Sequence, residues 1–200
     1  MRNILIDELP RSIRIKGKDY DVNWGFRTAI LYEMMMLDNE VEPEEKPLYA
    51  LRLFYPVIPD DWQEALEGIQ WFYRCGEEER TGKKKRRNVQ TEQERIYSFD
   101  HDAPYIYSAF LGQYSIDLNE VKELHWWKFK ALFQGLNEDC TLCKIMGYRA
   151  IDIKSVGKEQ YEFYKKMKDQ YAIPIPKTEQ EKNEALEKAL MGDGKVQDLL

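Results

Sequence analysis

The stretch from Tyr97 to Ile151, YSFDHDAPYIYSAFLGQYSIDLNEVKELHWWKFKALFQGLNEDCTLCKIMGYRAI, constrains this chain more than any other segment. Eleven of its 55 positions are aromatic, 20% against 13% for the whole chain, and both histidines fall inside it. Rings at that density, set at helical spacings, must bury large apolar areas against one another. Tyr107, Phe110, Leu111 and Tyr114 fall at i, i+3, i+4 and i+7, and Trp126, Phe129, Phe133 and Leu136 likewise share one helical face. The segment reads as a packing centre built from helices, and it carries no catalytic signature.

The surrounding composition fits a helical, water-facing protein. Two hundred residues suffice for one domain with a short appendage, and 43% hydrophobic with 33% charged residues is ordinary for exposed helices. A net charge of −6 argues against binding nucleic acid through overall positive charge. No window approaches the roughly 18 apolar residues of a membrane span. The opening MRNILIDELP carries Asp7 and Glu8 and no long apolar core, so a secretory signal is not expected. Three cysteines make no disulfide framework, and a cytosolic setting follows.

Local patterns predict a mainly α-helical single domain over 1–175 with a small N-terminal β-hairpin over about 12–22. Ile13 and Ile15 alternate with polar neighbours, Gly17-Lys18-Asp19 supplies the turn, and Tyr20 and Val22 resume the alternation. Asn23 is then placed to cap a helix to about Leu37 with Phe26, Ile30, Met34 and Leu37 inward. Pro43 and Pro47 bracket a break before a helix from Leu48 to Tyr55, stopped by Pro56. Asp60 or Asp61 caps the next helix, whose stripe is Trp62, Leu66, Ile69 and Phe72 or Tyr73, and Gly76 ends it.

From about 77 to 95 the chain has no apolar period and reads as a mobile basic linker. Asp102 and Pro104 open a helix, and Asp117 with Glu120 offers a capping box ahead of HWWKFKALFQGL. A short helix from Thr141 to Met146 is expected to end on a left-handed Gly147. Ser155 starts another, with Tyr161, Tyr164, Met167 or Lys168, and Tyr171 along one side. Beyond Pro174 and Pro176, the segment 176–200 reads as a loosely attached polar helix opened by Thr178 and Glu181, followed by a flexible tail.

Groups that could carry chemistry have plainer explanations. Cys140 and Cys143 form a CxxC, half of a tetrahedral zinc site, with only Cys75, His101 and His125 to complete it and no strand–helix–strand unit beside it. They are expected to be small, half-buried helix residues. Side chains of Asp100, His101 and Asp102 point apart on adjacent positions, and Asp102 already serves as a cap. His125 suits a helix start or a satisfied, half-buried position. No phosphate-binding glycine loop, nucleophile triad or HExxH is present, so neither an enzyme nor a bound cofactor or metal is expected.

Interaction surfaces are better supported. Lys83 to Arg87 is a run of five positive charges, with no aromatic interleaved for base stacking, and it suits an acidic partner better than nucleic acid. Lys84, Lys85 and Arg86 are its central candidates. Met34, Met35 and Met36 cannot all enter one core, which leaves Met35 and Met36 as surface candidates. Trp126 and Trp127 lie about 100° apart on a helix, so Trp127 is either an exposed anchor or a ring covered by a second helical layer.

At FDHDAPYIYSAFLGQYSIDL, LHWWKFKALFQGL and KIMGYRAIDI the chain resembles the bacteriophage Gp-fifteen family of tailed siphophages and prophages. The early hairpin, LFYP and DDW also match, and the likeness weakens in the basic linker and after Tyr171. The resemblance implies a place in the tail-morphogenesis genes, between those for the tail tube and tape-measure proteins. It implies a non-catalytic tail assembly chaperone that coats the tape-measure protein in the host bacterial cytoplasm. The tail tube protein and a homo-oligomer are further partners it allows, with a structural tail or neck component of the virion as the rival. A small metal- or thiol-dependent enzyme is the more remote one.

Overall fold

The computed structural model describes residues 3–77 and 95–174. The interior of the basic linker, with Lys84, Lys85 and Arg86, and the predicted polar helix of 176–200 lie outside the described residues. Among the described residues the fold is mainly α, seven helices and one two-stranded sheet.

Strands β1 (Ser12–Ile15) and β2 (Lys18–Asp21) pair antiparallel, Ser12 opposite Asp21 and Ile15 opposite Lys18. The turn is Lys16-Gly17, one residue earlier than the sequence suggested, with φ of 48° and 82°. Two successive left-handed residues match the strand twist and allow a two-residue connection. Lys18 and Asp19 therefore belong to β2. Ile13 and Ile15 turn inward onto α3 (Trp62–Tyr73), where Gly68 makes room: a Cβ there would stand 2.6 Å from Ile13 Cγ2. An isolated hairpin is marginal in water, and this seat supplies the missing apolar contact.

Helix α1 (Phe26–Leu37) starts from Gly25, not from an Asn23 cap. The Asn23 amide side chain instead donates to Leu53 O, and its backbone N–H to Phe54 O, tying the entry of α1 to the end of α2 (Lys46–Phe54). Pro47 lies in the first turn of α2, where its missing N–H costs no helical bond. Asp61 caps α3 as expected, accepting from Glu64 N at 2.9 Å. The buried stripe of α3 is Ala65, Ile69 and Phe72, and Trp62 at its start is 49% exposed.

Past the linker, α4 (Ala103–Tyr114) buries Ile106, Ala109 and Phe110, a face rotated from the predicted one, so Leu111 is exposed. Asp117 accepts from Asn119 N and Glu120 N in a turn and from the Tyr107 hydroxyl, and no helix begins there. Helix α5 (Trp126–Gln134) begins later, next to α1. Phe26 N donates to Leu124 O and Trp126 N to Trp24 O, so each helix start satisfies an otherwise orphaned N–H of the other.

Helix α6 (Thr141–Ala150) runs through Gly147 without a left-handed residue, and α7 (Lys158–Gln170) starts from Gly157. Ser155 lies in a 3-10 turn (Ile153–Ser155), its hydroxyl donating to Asp152 O. Helix α7 buries no residue fully. It leans on α6 through half-buried Tyr164, Met167 and Tyr171.

Candidate functional site

Phe129, with no exposed surface, is the hub of the aromatic centre. Phe26 and Phe110 stack on it at 5.0 and 4.8 Å, Trp126 and Phe133 at 5.7 and 6.1 Å, and Phe99 leans in at 6.2 Å. Rings from α1, α4, α5 and the loop before α4 thus converge. Pairs of this kind add about 0.5–1.5 kcal/mol each beyond the area they bury.

The adjacent tryptophans have a structural use. Trp126 Nε1 donates to Tyr73 O and Trp127 Nε1 to Phe72 O, both at 2.8 Å. Those are among the last carbonyls of α3, which lack the i+4 N–H of a continuing helix; Phe72 O also accepts from Cys75 N at 3.0 Å. Two consecutive indoles therefore cap two consecutive carbonyls, and α5 butts against the end of α3. Trp127 is 3% exposed, so it is no surface anchor, and the reading in which a second layer covers it is the right one. Its ring packs on Trp71, Phe72 and His125, and under Gly76, where a Cβ would stand 2.9 Å from Cη2. With φ of 75°, Gly76 is required twice, by the backbone and by the indole.

Polar groups around this centre are committed to the fold. His125 caps α5, its Nδ1 accepting from Trp127 N at 3.1 Å while Nε2 donates to Pro10 O at 2.9 Å. Burial pushes the imidazole below its ordinary value and keeps it neutral, which that pattern requires. Asp102 occupies the N-cap position of α4 but makes no side-chain cap. Its carboxylate, 1% exposed, instead takes a bidentate Arg149 at 2.5 and 2.9 Å and the Ser98 N–H at 2.8 Å. Arg149 also donates to Ile96 O and Tyr171 O, so one guanidinium joins α6, the loop before α4 and the end of α7.

On α1, Glu33 points inward and accepts from the Tyr73 and Tyr97 hydroxyls. Burial raises its carboxyl above the ordinary range, with the two phenols and Lys130 pulling the other way. Asp100 and His101 are exposed while Asp102 is buried, so the three do not converge. Cys140 caps α6 through its sulfur at 3.4 Å from Cys143 N, and Cys143 Sγ contacts Leu136 O at 3.8 Å. Burial pushes the Cys143 thiol up to about 11. No group of three or more His, Cys, Asp or Glu among the described residues is placed to hold a metal ion. An open groove of about 400 Å3 between α4 and the start of α6 includes Gln113, Asn137, Asp139 and Cys140 in its lining, and the Cys140 sulfur there is committed to capping α6.

The surface feature of note is the C-terminal half of α1. Met36 is 42% exposed and Leu37 similarly so, while Met35 is half-buried, so the methionine run is divided between core and surface. Leu31, which the sequence reading passed over, is 52% exposed one turn before Met35. Lys46 Nζ donates to Met36 O at 2.8 Å, which holds the start of α2, and exposed Tyr49 one turn on, beside this end of α1. Between the two helices runs DNEVEPEE, residues 38–45, with five carboxylates and no base. That run and the i, i+4 pair of Leu31 and Met35 were the available signals, overshadowed by the longer aromatic segment.

The described residues thus form a mainly α-helical, aromatic-cored domain in which no helix is long and apolar enough to cross a membrane. Residues 5–173 match the family model described as Bacteriophage Gp15 protein, and the chain belongs to that family. No curated protein and no solved structure matches it. Membership suggests a role in the structure or morphogenesis of a phage particle.

Proposed function

We propose that the chain is a non-catalytic tail assembly chaperone that binds the tape-measure protein, and secondarily the tail tube protein, in the host cytoplasm. The observation that carries the reading is the apolar end of α1, with Leu31, Met36 and Leu37 open to solvent beside a closed aromatic core. A protein that shields an apolar client needs such surface in its folded state, and unbranched methionines adapt to varied helix faces. The net charge of −6 opposes aggregation of a protein that shows it.

Co-expression with the cognate tape-measure protein tests this. The client is expected to be soluble and monodisperse with the chain and to aggregate without it; equal solubility in both cases would end the proposal. Mass spectrometry of purified particles separates it from a structural tail component. The chaperone is expected to be absent from the finished virion.

A further inference from the structure

Over 29–37, AILYEMMML, only Tyr32 and Glu33 have polar side chains, and both are turned inward, Tyr32 against Phe54 and Tyr73, Glu33 to Tyr73 and Tyr97. What remains outside is wholly apolar: exposed Leu31 with half-covered Met34 and Met35 on the side away from the core, and Met36 and Leu37 exposed where the helix ends. A helix that is apolar on every side is normally covered on every side. Helices α2 and α5, with Tyr73 of α3, pack on the other sides of α1 and leave the side of Leu31 open.

The connection that follows α1, residues 38–45, carries charges of one sign. Asp38, Glu40, Glu42, Glu44 and Glu45 are all exposed, and none forms an ion pair with a described residue. They follow the C-terminus of α1, whose own partial charge is negative and whose last turn carries no basic residue. Of the nearby bases, Arg27 donates to the carbonyls of Leu118, Asn119 and Val121, and Lys46 sits at the end of α1 itself, its Nζ donating to Met36 O. Among the described residues these five carboxylates have no ion-pair partner. They complement a cation.

From this face we infer that the end of α1, with the acidic connection to α2, is the docking site for a basic amphipathic helix of the client. The inference rests on the chaperone reading and specifies which client segment is held. A helix fits because the flank offers apolar side chains and no free strand edge, so the ligand must satisfy its own backbone. Leu31 and Met35, one turn apart, form the ridge against which it packs. Lysines or arginines on the helix's flank meet the 38–45 carboxylates. A second copy of this chain seated face to face would set carboxylates against carboxylates, which favours a client of opposite charge.

Fluorescence anisotropy with the full chain tests this with two synthetic helical peptides of about 18 residues, or five turns, one of leucine and lysine and one of leucine and glutamate. The lysine peptide is expected to bind roughly tenfold or more tighter than the glutamate peptide and to weaken as salt is raised. Reversing the rim with Glu40→Lys, Glu42→Lys and Glu44→Lys should invert that preference. Leu31→Gln with Met35→Gln should abolish binding while circular dichroism stays unchanged. Glu159→Lys with Glu162→Lys on α7 alters net charge away from the face and should leave binding as it was.

Equal binding of both peptides, binding that survives the Leu31 and Met35 changes, or loss on altering α7 would each overturn the inference. So would self-association through this face that excludes the peptide. Co-expression keeps the two readings apart. If the wild-type chain solubilises the tape-measure protein and the α1 variants do so equally well, the docking site is wrong and the chaperone reading stands. If the wild type binds the lysine peptide but never protects the tape-measure protein, the chaperone reading fails.

Discussion

Trp126-Trp127 on α5 and Met35-Met36-Leu37 on α1 are both runs of large apolar side chains, yet the first is covered while in the second only Met35 is half-covered and Met36 and Leu37 are exposed. The difference lies in what stands at each end. The start of α5 meets the finish of α3, whose last carbonyls can take further donors; two indoles supply them, Trp126 packed on Tyr73 and Phe129 and Trp127 on Trp71 and Phe72. The finish of α1 leads into an acidic connection that carries nothing apolar to lay back over it except Val41. Coverage of an apolar run is thus decided by which element ends meet, and side-chain type only makes it possible.

The largest test of that contrast is Trp127→Ala against Met36→Ala. Removing the indole empties a closed site and strips the cap from Phe72 O, so about 3–5 kcal/mol of unfolding free energy should be lost. The Met36 change should stay within about 0.5 kcal/mol, as for other exposed sites. Urea unfolding of both variants checks this, and similar losses would break the comparison. Arg149→Met should rival the tryptophan at about 3–5 kcal/mol, because it leaves the Asp102 carboxylate buried without its partner. Adding Asp102→Asn should recover part of that loss, which distinguishes an unpaired charge from a simple packing defect.

A smaller effect is expected at Gly76. Alanine there meets a positive φ and the Trp127 ring together, for about 1–2 kcal/mol from the backbone alone plus whatever the indole must yield. If Trp127→Ala is already present, the steric part should disappear and only the backbone part remain. Thermal unfolding of the two single variants and the double variant measures that coupling directly.

The aromatic segment announced the core because ring spacing is a local property, and Phe110, Trp126 and Phe129 are buried as their period requires. Helix caps were less legible. Asp61 caps α3, yet Asp102, with the same chemistry in the same position, is drawn away by Arg149, forty-seven residues later. Asn23 is drawn likewise to the end of α2. Asp117 with Glu120 satisfies a turn rather than a helix, since either can use an acceptor two or three residues back. The interaction face was half visible: Met36 emerged from three methionines in a row, but choosing it over Trp127 required knowing where α3 ends.

Glu33 lies on the boundary between the two regions, on the apolar helix but facing the aromatic centre, and it carries the smallest expected effect. Burial raises its carboxyl above the ordinary 4.5, and hydrogen bonds from Tyr73 and Tyr97 with the Lys130 charge offset part of that. With the folded-state value the higher one, the folded chain holds more protons than the unfolded chain in the window just above 4.5. Stability from this group is therefore greatest at or below that pH, falls as pH rises through the folded-state value, and is level beyond it. Glu33→Gln removes the proton, so the melting temperature of the wild type should decline relative to the variant across that window and run parallel to it at higher pH. A wild type that instead gains on the variant as pH rises would mean the phenols and Lys130 outweigh burial, and that the carboxylate belongs electrostatically to the surface side of α1.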